Sequence, residues 1–254
     1  MSILKLSGIS MEFGGLRAID SVDLDIEEHQ IYGIIGPNGA GKTTIFNVIT
    51  GIYKPVEGAL FFNGLDLKNV PPYKIARLGV GRTFQNIRLF PKLSVIDNLR
   101  VSAHSISKVN SLANMLGLPV ARREEKQIAM KSGQLLEMLG LYERRLEFAD
   151  SLSYGEQRRL EIARALALEP SLLLLDEPAA GMNASEKLEL METIKQIRDQ
   201  MHLTIILVEH DMHLVMNICE RIAVLDYGRK IADGAPEFIR NDERVIQSYL
   251  GMGA

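Results

Sequence analysis

The sequence predicts an α/β fold: a mostly parallel sheet covered by helices on both faces, an antiparallel β part at the N-terminus, and a helical subdomain inserted between. Three observations carry this. Short apolar runs at Ile31-Tyr32-Gly33-Ile34-Ile35, Leu172–Leu175 and Leu203–Val208 alternate with helical patterns, as fully buried parallel strands do. Residues 3–9 and 21–27 instead alternate apolar and polar positions (Val22, Leu24, Ile26), the mark of half-buried antiparallel strands. From about Leu93 to Leu152 no strand pattern appears, and Ile128, Leu135, Leu136 and Leu139 recur at helical spacing in a charged background.

Each element follows in order. Met11 to Leu16 is a turn carrying Phe13, which from this stretch alone reads as a core residue. A helix covers 42–50 and stops at Gly51; Pro55 and Gly58 introduce a strand over 59–62, closed by Asn63-Gly64. Pro71-Pro72 starts a short helix to Leu78, and Val80 to Phe84 reads as a strand. Ser94 caps a helix beginning at Val95, and Arg122 to Leu139 is an amphipathic helix with 132–134 (SGQ) on its surface. Ser151 to Glu156 opens a helix to about Leu168 bearing Arg158, Arg159, Glu161 and Arg164; another helix spans 184–200, and Ile222 to Leu225 is a further buried strand. The 254 residues are enough for a full core and are read as one domain over 1–254. Within it, 1–92 and 160–254 form the α/β core with its antiparallel part, and 93–159 the helical subdomain.

Bulk properties exclude several classes. Lys and Arg number 29 against 32 Asp and Glu, a net charge of −3, so no global basic field points to nucleic acid. Cys219 is the single cysteine, which excludes disulfide frameworks and thiolate clusters and leaves it to pack as a small apolar residue. The start, MSILKLSGIS, lacks a basic region followed by a long apolar stretch, so it does not read as a signal peptide. No apolar run approaches the length of about 20 residues needed to span a bilayer, and a cytoplasmic setting is expected.

The chemistry centres on residues 36–43, GPNGAGKT, between the strand 31–35 and the following helix. Gly36, Gly41, Lys42 and Thr43 fit the spacing G-x-x-x-x-G-K-[ST]. A triphosphate must meet several backbone N–H groups at once, which requires a tight, uncrowded turn and a helix N-terminus aimed at the anion. Lys42 reaches the β- and γ-phosphates, and the Thr43 hydroxyl serves Mg²⁺. A glycine-rich turn binding nothing is the competing reading, and the strand before and helix after disfavour it. Ligands of open parallel sheets sit beyond the strands' carboxyl ends. There 172–175 delivers Asp176 and Glu177, and 203–208 delivers Glu209 and His210. Asp176 holds the magnesium hydration shell opposite Thr43, and Glu177 is placed to polarise an attacking water.

The set GPNGAGKT, Gln85 in RTFQ, LSYGE at 152–156, LLLLDEP at 172–178 and His210 resembles an ABC ATPase from end to end. LSYGE decides it: other phosphate-loop families lack this signature at a helix start shortly before the second acidic strand. The chain also has no N-K-x-D motif, against a GTPase. The resemblance implies a P-loop NTPase core of RecA-like kind, with ATP and Mg²⁺ as ligands. It assigns Gly36, Pro37, Asn38, Gly39, Ala40, Gly41, Lys42, Thr43 and Thr44 to the nucleotide, and Thr43, Gln85 and Asp176 to the metal. Glu177, His210 and Gln85 become the catalytic group, and Phe13 stacks on adenine, reversing the core reading. Ser153, Gly155 and Glu156, with the helix N-terminus behind them, cap the γ-phosphate of a nucleotide held by a partner cassette. Ser153 can equally be an N-cap with Glu156 closing the capping box, and both can hold at once.

The chain departs from the family pattern in two places. Its signature usually reads LSGGQ, whereas this chain has Tyr154 and Glu156, and the loop after Glu177 usually carries an aspartate where Asn183 stands. EPAAGMN, RTFQNIRLFPKLSVIDNL, SYGEQRRLEIARAL and GAPEFIRNDERVIQSYLG resemble the LivG-type ATP-binding subunits of branched-chain amino-acid importers; residues 107–121 are the least distinctive stretch. That resemblance implies a second ABC ATPase subunit, identical or homologous, two membrane permease subunits and, indirectly, an extracytoplasmic solute-binding protein, with the chain peripheral on the cytoplasmic face of the inner membrane. Ile87, Leu89 and Phe90 after Gln85 read as a socket for a membrane partner's helix. The alternatives are a related system for urea or amide uptake or lipopolysaccharide export, and a soluble ABC ATPase on DNA or ribosomes. The last predicts a coiled-coil insert, a tandem cassette or a basic stripe, and none is present. A phosphotransferase leaves LSYGE unexplained.

Overall fold

In the computed structural model, which describes residues 1–107, 109 and 118–250, two sheets sandwich one of the molecule's two apolar layers. The first sheet is antiparallel, in the order β2-β1-β4-β5, from β1 (Ser2–Phe13), β2 (Leu16–Glu27), β4 (Glu57–Phe62) and β5 (Leu65–Asp66). The second runs β10-β9-β3-β8-β7-β6, from β3 (Ile31–Ile35), β6 (Val80–Arg82), β7 (Leu172–Asp176), β8 (Thr204–Val208), β9 (Arg221–Asp226) and β10 (Arg229–Gly234). All its pairings are parallel except β10 with β9.

The unbroken apolar runs have a simple physical cause. Successive side chains of a strand point to opposite faces, so Leu172, Leu174, Ile206 and Val208 enter a core shared with β1, β2 and the helix α1 (Lys42–Ile49). Leu173, Leu175, Ile205 and Leu207 enter the other core, with the helical region and the later helices. A strand buried on both sides has no position where a polar residue is tolerated until it ends, and β7 and β8 give way to Asp176 and Glu209 at that end.

The helical region comprises α2 (Pro72–Arg77) at its edge, then α3 (Val95–Ser105), α4 (Pro119–Met138), single turns at Tyr142–Arg144 and Ala149–Ser151, and α5 (Tyr154–Leu166). Ser94 caps α3 as expected, accepting from Asp97 N at 3.2 Å. After α6 (Ala184–Met201) come α7 (Met212–Ile218), α8 (Pro236–Asn241) and α9 (Glu243–Leu250).

Several expectations need correction. The first two strands are longer than the alternation indicated and meet at Gly14-Gly15 alone, because bulges in β1 shift the register and break the period. The strand read over Val80 to Phe84 stops at Arg82; Thr83 N still donates to Leu174 O at 2.9 Å, but Asp176 N then turns to the Thr83 hydroxyl at 3.2 Å and the ladder ends. Ser132, placed on a helix surface, is buried, since α4 turns that side toward the rest of the molecule. β10 and the helices α7, α8 and α9 were not read at all; β10 is an edge strand with mixed polarity, and α7 and α8 are too short for a periodic signal. Most of residues 107–121 lies outside the described residues. Cys219 packs as an apolar residue, its thiol pushed up by burial.

Candidate functional site

The phosphate loop leaves β3 at Gly36, whose φ of 147° and surroundings admit only glycine: a Cβ there would lie 2.0 Å from Leu225 O. Gly41, with φ 103°, starts α1, and no side chain caps that helix. Its first amides therefore remain available to an anion, and the helix dipole favours one. Lys42 is buried and donates to Gly36 O at 2.7 Å and Pro37 O at 2.9 Å. Burial lowers its pKa, while Glu177 and Asp176 oppose this. The loop carries its own lysine folded across it. Asn38 and Gly39 at the tip and Thr43 on the first turn are exposed, Thr44 and Pro37 half-buried, and Ala40 buried, its carbonyl accepting from Gly228 N at 3.1 Å.

The ends of β7 and β8 bring the acidic groups beside it. Asp176 is buried and paired with Arg82 at 3.1 Å. Burial pushes its carboxyl above the usual range, with Arg82 opposing. Its Oδ1 is buried with no partner, and an orphaned carboxylate oxygen at a phosphate site is a fit for magnesium-bound water. Among the described residues no cluster of three or more His, Cys, Asp or Glu could hold a metal unaided. That suits Mg²⁺, which takes one or two protein groups plus nucleotide phosphates. Glu177 has a left-handed backbone, φ 48°, which redirects the chain at the strand end. Its Oε2 accepts from Gln85 Nε2 at 3.1 Å and stands 3.9 Å from His210 Nδ1. Left-handed strain in a non-glycine residue persists only where the surroundings hold it; here Glu177 N donates to Val208 O at 2.9 Å.

The other proposed residues are arranged as follows. Phe13 ends β1, exposed on one face, with Tyr53 edge-on at 5.0 Å, so it is not a core residue. Leu89 packs against a core and Ile87 is half-buried, leaving Phe90 exposed beneath the Arg164 guanidinium at 4.9 Å. Ser153 is the N-cap of α5, in a full capping box with Glu156. It lines a small recess with Met182 and Glu186, beside the start of the helix that follows the Glu177 loop. Tyr154 lies over Gly181 and Glu156 closes the capping box, so both departures in that turn are engaged within the chain. Asn183 caps α6, accepting from Glu186 N at 3.0 Å, a role aspartate shares.

Four supporting residues had no role assigned, Glu209 having been placed only at its strand end. Arg82 fixes Asp176 and also donates to Asn47 Oδ1 at 2.8 Å, linking strand end to α1. Glu209, buried, accepts from Ala179 N at 2.9 Å and ties the Glu177 loop to His210. Arg158 and Glu161 form a buried pair at 3.3 Å. Arg158 donates to Phe84 O and Gln85 O, and Glu161 accepts from Phe84 N and Arg88 N, so α5 grips both ends of the Gln85 segment. Their signal was visible as a basic and an acidic residue three apart on one helix, but a solvated face reads the same.

The family description "ABC transporter" matches residues 19–180, and "Branched-chain amino acid ATP-binding cassette transporter" matches 229–251. The chain is 46% identical over 249 residues to the high-affinity branched-chain amino acid transport ATP-binding protein BraF of Pseudomonas aeruginosa, covering 98% of each. It is 33% identical to the lipopolysaccharide export system ATP-binding protein LptB of Haemophilus influenzae, over 99% of this chain and 98% of that one. A crystallised ATP-binding cassette of an ABC transporter in its ADP conformation superposes with a TM-score of 0.86 at 29% identity, covering 99% of each chain.

Proposed function

The chain belongs to the ABC transporter family of ATP-binding cassettes, and on that premise we propose that it is the ATP-hydrolysing subunit of an importer for branched-chain amino acids. One observation carries the hydrolytic part: Gln85, Glu177 and His210 converge, at 3.1 and 3.9 Å, next to the acidic pair that Lys42 senses. Identity nearer to the amino-acid relative than to the lipopolysaccharide one, and the C-terminal match, support the substrate class.

The chain's own groups perform the steps. An arriving triphosphate takes the open amides of α1, and Lys42 exchanges the carbonyls of Gly36 and Pro37 for phosphate oxygens. Phe13 lies under the base. Thr43, Asp176 and Gln85 are the residues that would hold Mg²⁺, which when bound would supply charge neutralisation for the transferring phosphoryl group. Glu177 takes a proton from the water that attacks the γ-phosphorus as the bond to the leaving diphosphate breaks. Gln85 and His210 hold that carboxylate and the water in line. The second seal comes from the Ser153 turn of another cassette, so two chains close around two nucleotides. Exposed Phe90, next to the Gln85 segment gripped by α5, is where a membrane subunit's helix seats. Among the described residues no helix is long and apolar enough to cross a membrane; as an importer's cassette the chain sits peripherally on the cytoplasmic face of the inner membrane.

The test is capture and assay. A tagged chain drawn from solubilised membranes is expected to bring a second cassette and permease subunits. The complex is expected to hydrolyse ATP faster with a binding protein loaded with leucine, isoleucine or valine. Recovery with ribosomes or DNA, or stimulation by another solute alone, would overturn the assignment.

A further inference from the structure

The turn carrying Ser153 is held by an ion-pair network that none of these steps uses. Glu156 Oε2 accepts from Ser153 N at 2.8 Å, and Ser153 Oγ accepts from Glu156 N at a long 3.4 Å. Arg144, at the end of the single turn Tyr142–Arg144, donates from Nη1 to both Glu156 oxygens at 2.7 and 2.6 Å. Its other edge meets Glu147 from Nε at 3.1 Å and Nη2 at 2.7 Å. Ser151 Oγ donates to the same Glu147 carboxylate at 3.2 Å. Arg144 holds Glu147 below the usual carboxylate range. Burial pushes Glu156 up, but the bonds from Arg144 and Ser153 outweigh it and its pKa is lowered. Glu156 is ionised at neutral pH.

An ionised carboxylate at a helix start offered to phosphate is a local conflict, because both anions compete for the same positive end. The geometry of Arg144 resolves it. Set between two carboxylates, the guanidinium offsets one of their two negative charges, and its Nη1 fixes Glu156 on Ser153 N, the inner side of the turn. The weak capping bond to Ser153 Oγ leaves the hydroxyl proton free to donate outward.

We propose that Arg144 is a positioning residue for nucleotide sealing: it offsets negative charge at Glu156 and sets the Ser153 turn so that a phosphate held by a partner cassette docks against it. This rests on the partner-facing reading of Ser153 above. A mere staple between loop and helix makes a different prediction. Removing both charges would then be at least as harmful as removing one, whereas the charge role makes the second substitution a rescue.

The experiment uses the full chain in a Glu177→Gln background, with the ATP dependence of dimerisation read by analytical ultracentrifugation, alone and with the second cassette. Binding of a fluorescent ATP analogue is measured in parallel at monomer concentrations. Arg144→Met is expected to raise the half-saturating ATP for dimerisation roughly five- to tenfold, with monomer affinity unchanged. Adding Glu156→Gln is expected to recover at least half of that shift. Arg144→Gln carries the same test if the methionine variant fails to fold. Dimerisation indifferent to Arg144, or a double variant no better than the single, overturns the proposal. If the chain with Arg144 intact stays monomeric at saturating ATP in either format, the partner-facing reading itself falls, and this inference with it.

Discussion

On the proposed reading, two helix starts in this chain meet phosphate, and they are built in opposite ways. The one at Lys42 follows a left-handed glycine, has no side-chain cap, and carries a buried lysine folded across its loop. The one at Tyr154 is closed by its own capping box, with Ser153 and Glu156 occupying each other's backbone donors and Arg144 behind them. A site that must capture nucleotide unaided keeps its backbone donors open. A site completed only when a second subunit arrives satisfies itself in the meantime, since orphaned groups at a helix end would otherwise cost stability in the unpaired chain. The contrast separates tight binding, a property of one chain, from hydrolysis, a property of two.

The largest effect that sharpens this contrast is expected from Glu177→Gln. ATP affinity should persist while steady-state hydrolysis falls by about 10³-fold, within the range for loss of a positioned base, and ATP-bound dimers should accumulate in size-exclusion chromatography. Wild-type turnover would mean that another group, His210 first, activates the water. Next comes Lys42→Ala, expected to weaken ATP binding by roughly 30- to 100-fold, the worth of a charge-assisted contact of about 2–3 kcal/mol. Calorimetry checks it, and unchanged affinity would break the distinction at its root. Ser153→Ala should lower the melting free energy by about 1 kcal/mol through the lost cap. It should also weaken ATP-driven dimerisation while monomer affinity stays put; an effect on the monomer instead would merge the two sites.

The smallest effect is a pH dependence. Glu156 has a depressed pKa in the folded chain, so the stabilisation from its pairing is complete above the unfolded carboxylate value of about 4.3 and is lost as pH falls through the lower folded value. The melting-temperature gap between the parent and Arg144→Met should therefore be constant near neutrality and close in acid. A gap that widened in acid would assign the pairing to something other than an ionised Glu156.

Much of the site was legible because its chemistry sits at strand ends. Asp176, Glu177 and His210 each follow an apolar run that cannot tolerate them earlier, and the glycine spacing of 36–41 is a backbone requirement written directly in residue type. What escaped was long-range. Arg82, Arg158 and Glu161 look like surface charges in a linear chain, and Glu209 shows only its place at a strand end; they become supports only when strands and helices far apart in sequence meet around them. Phe13 shows the same limit, since an aromatic residue by a turn has no sequence mark that separates core from exposed platform.

By itself the sequence determined the alternation of buried strands and helices, the phosphate loop and the acidic pair beyond β7, because these depend on local periodicity and on residue types that no other backbone conformation or buried position accepts. Only the tertiary structure decided that Arg82 neutralises Asp176, that α5 grips the Gln85 segment, and that Arg144 faces Glu156. Those contacts join groups 94, 74 and 12 residues apart in the chain, and an ion pair or hydrogen bond depends on distance in space, which sequence separation does not fix.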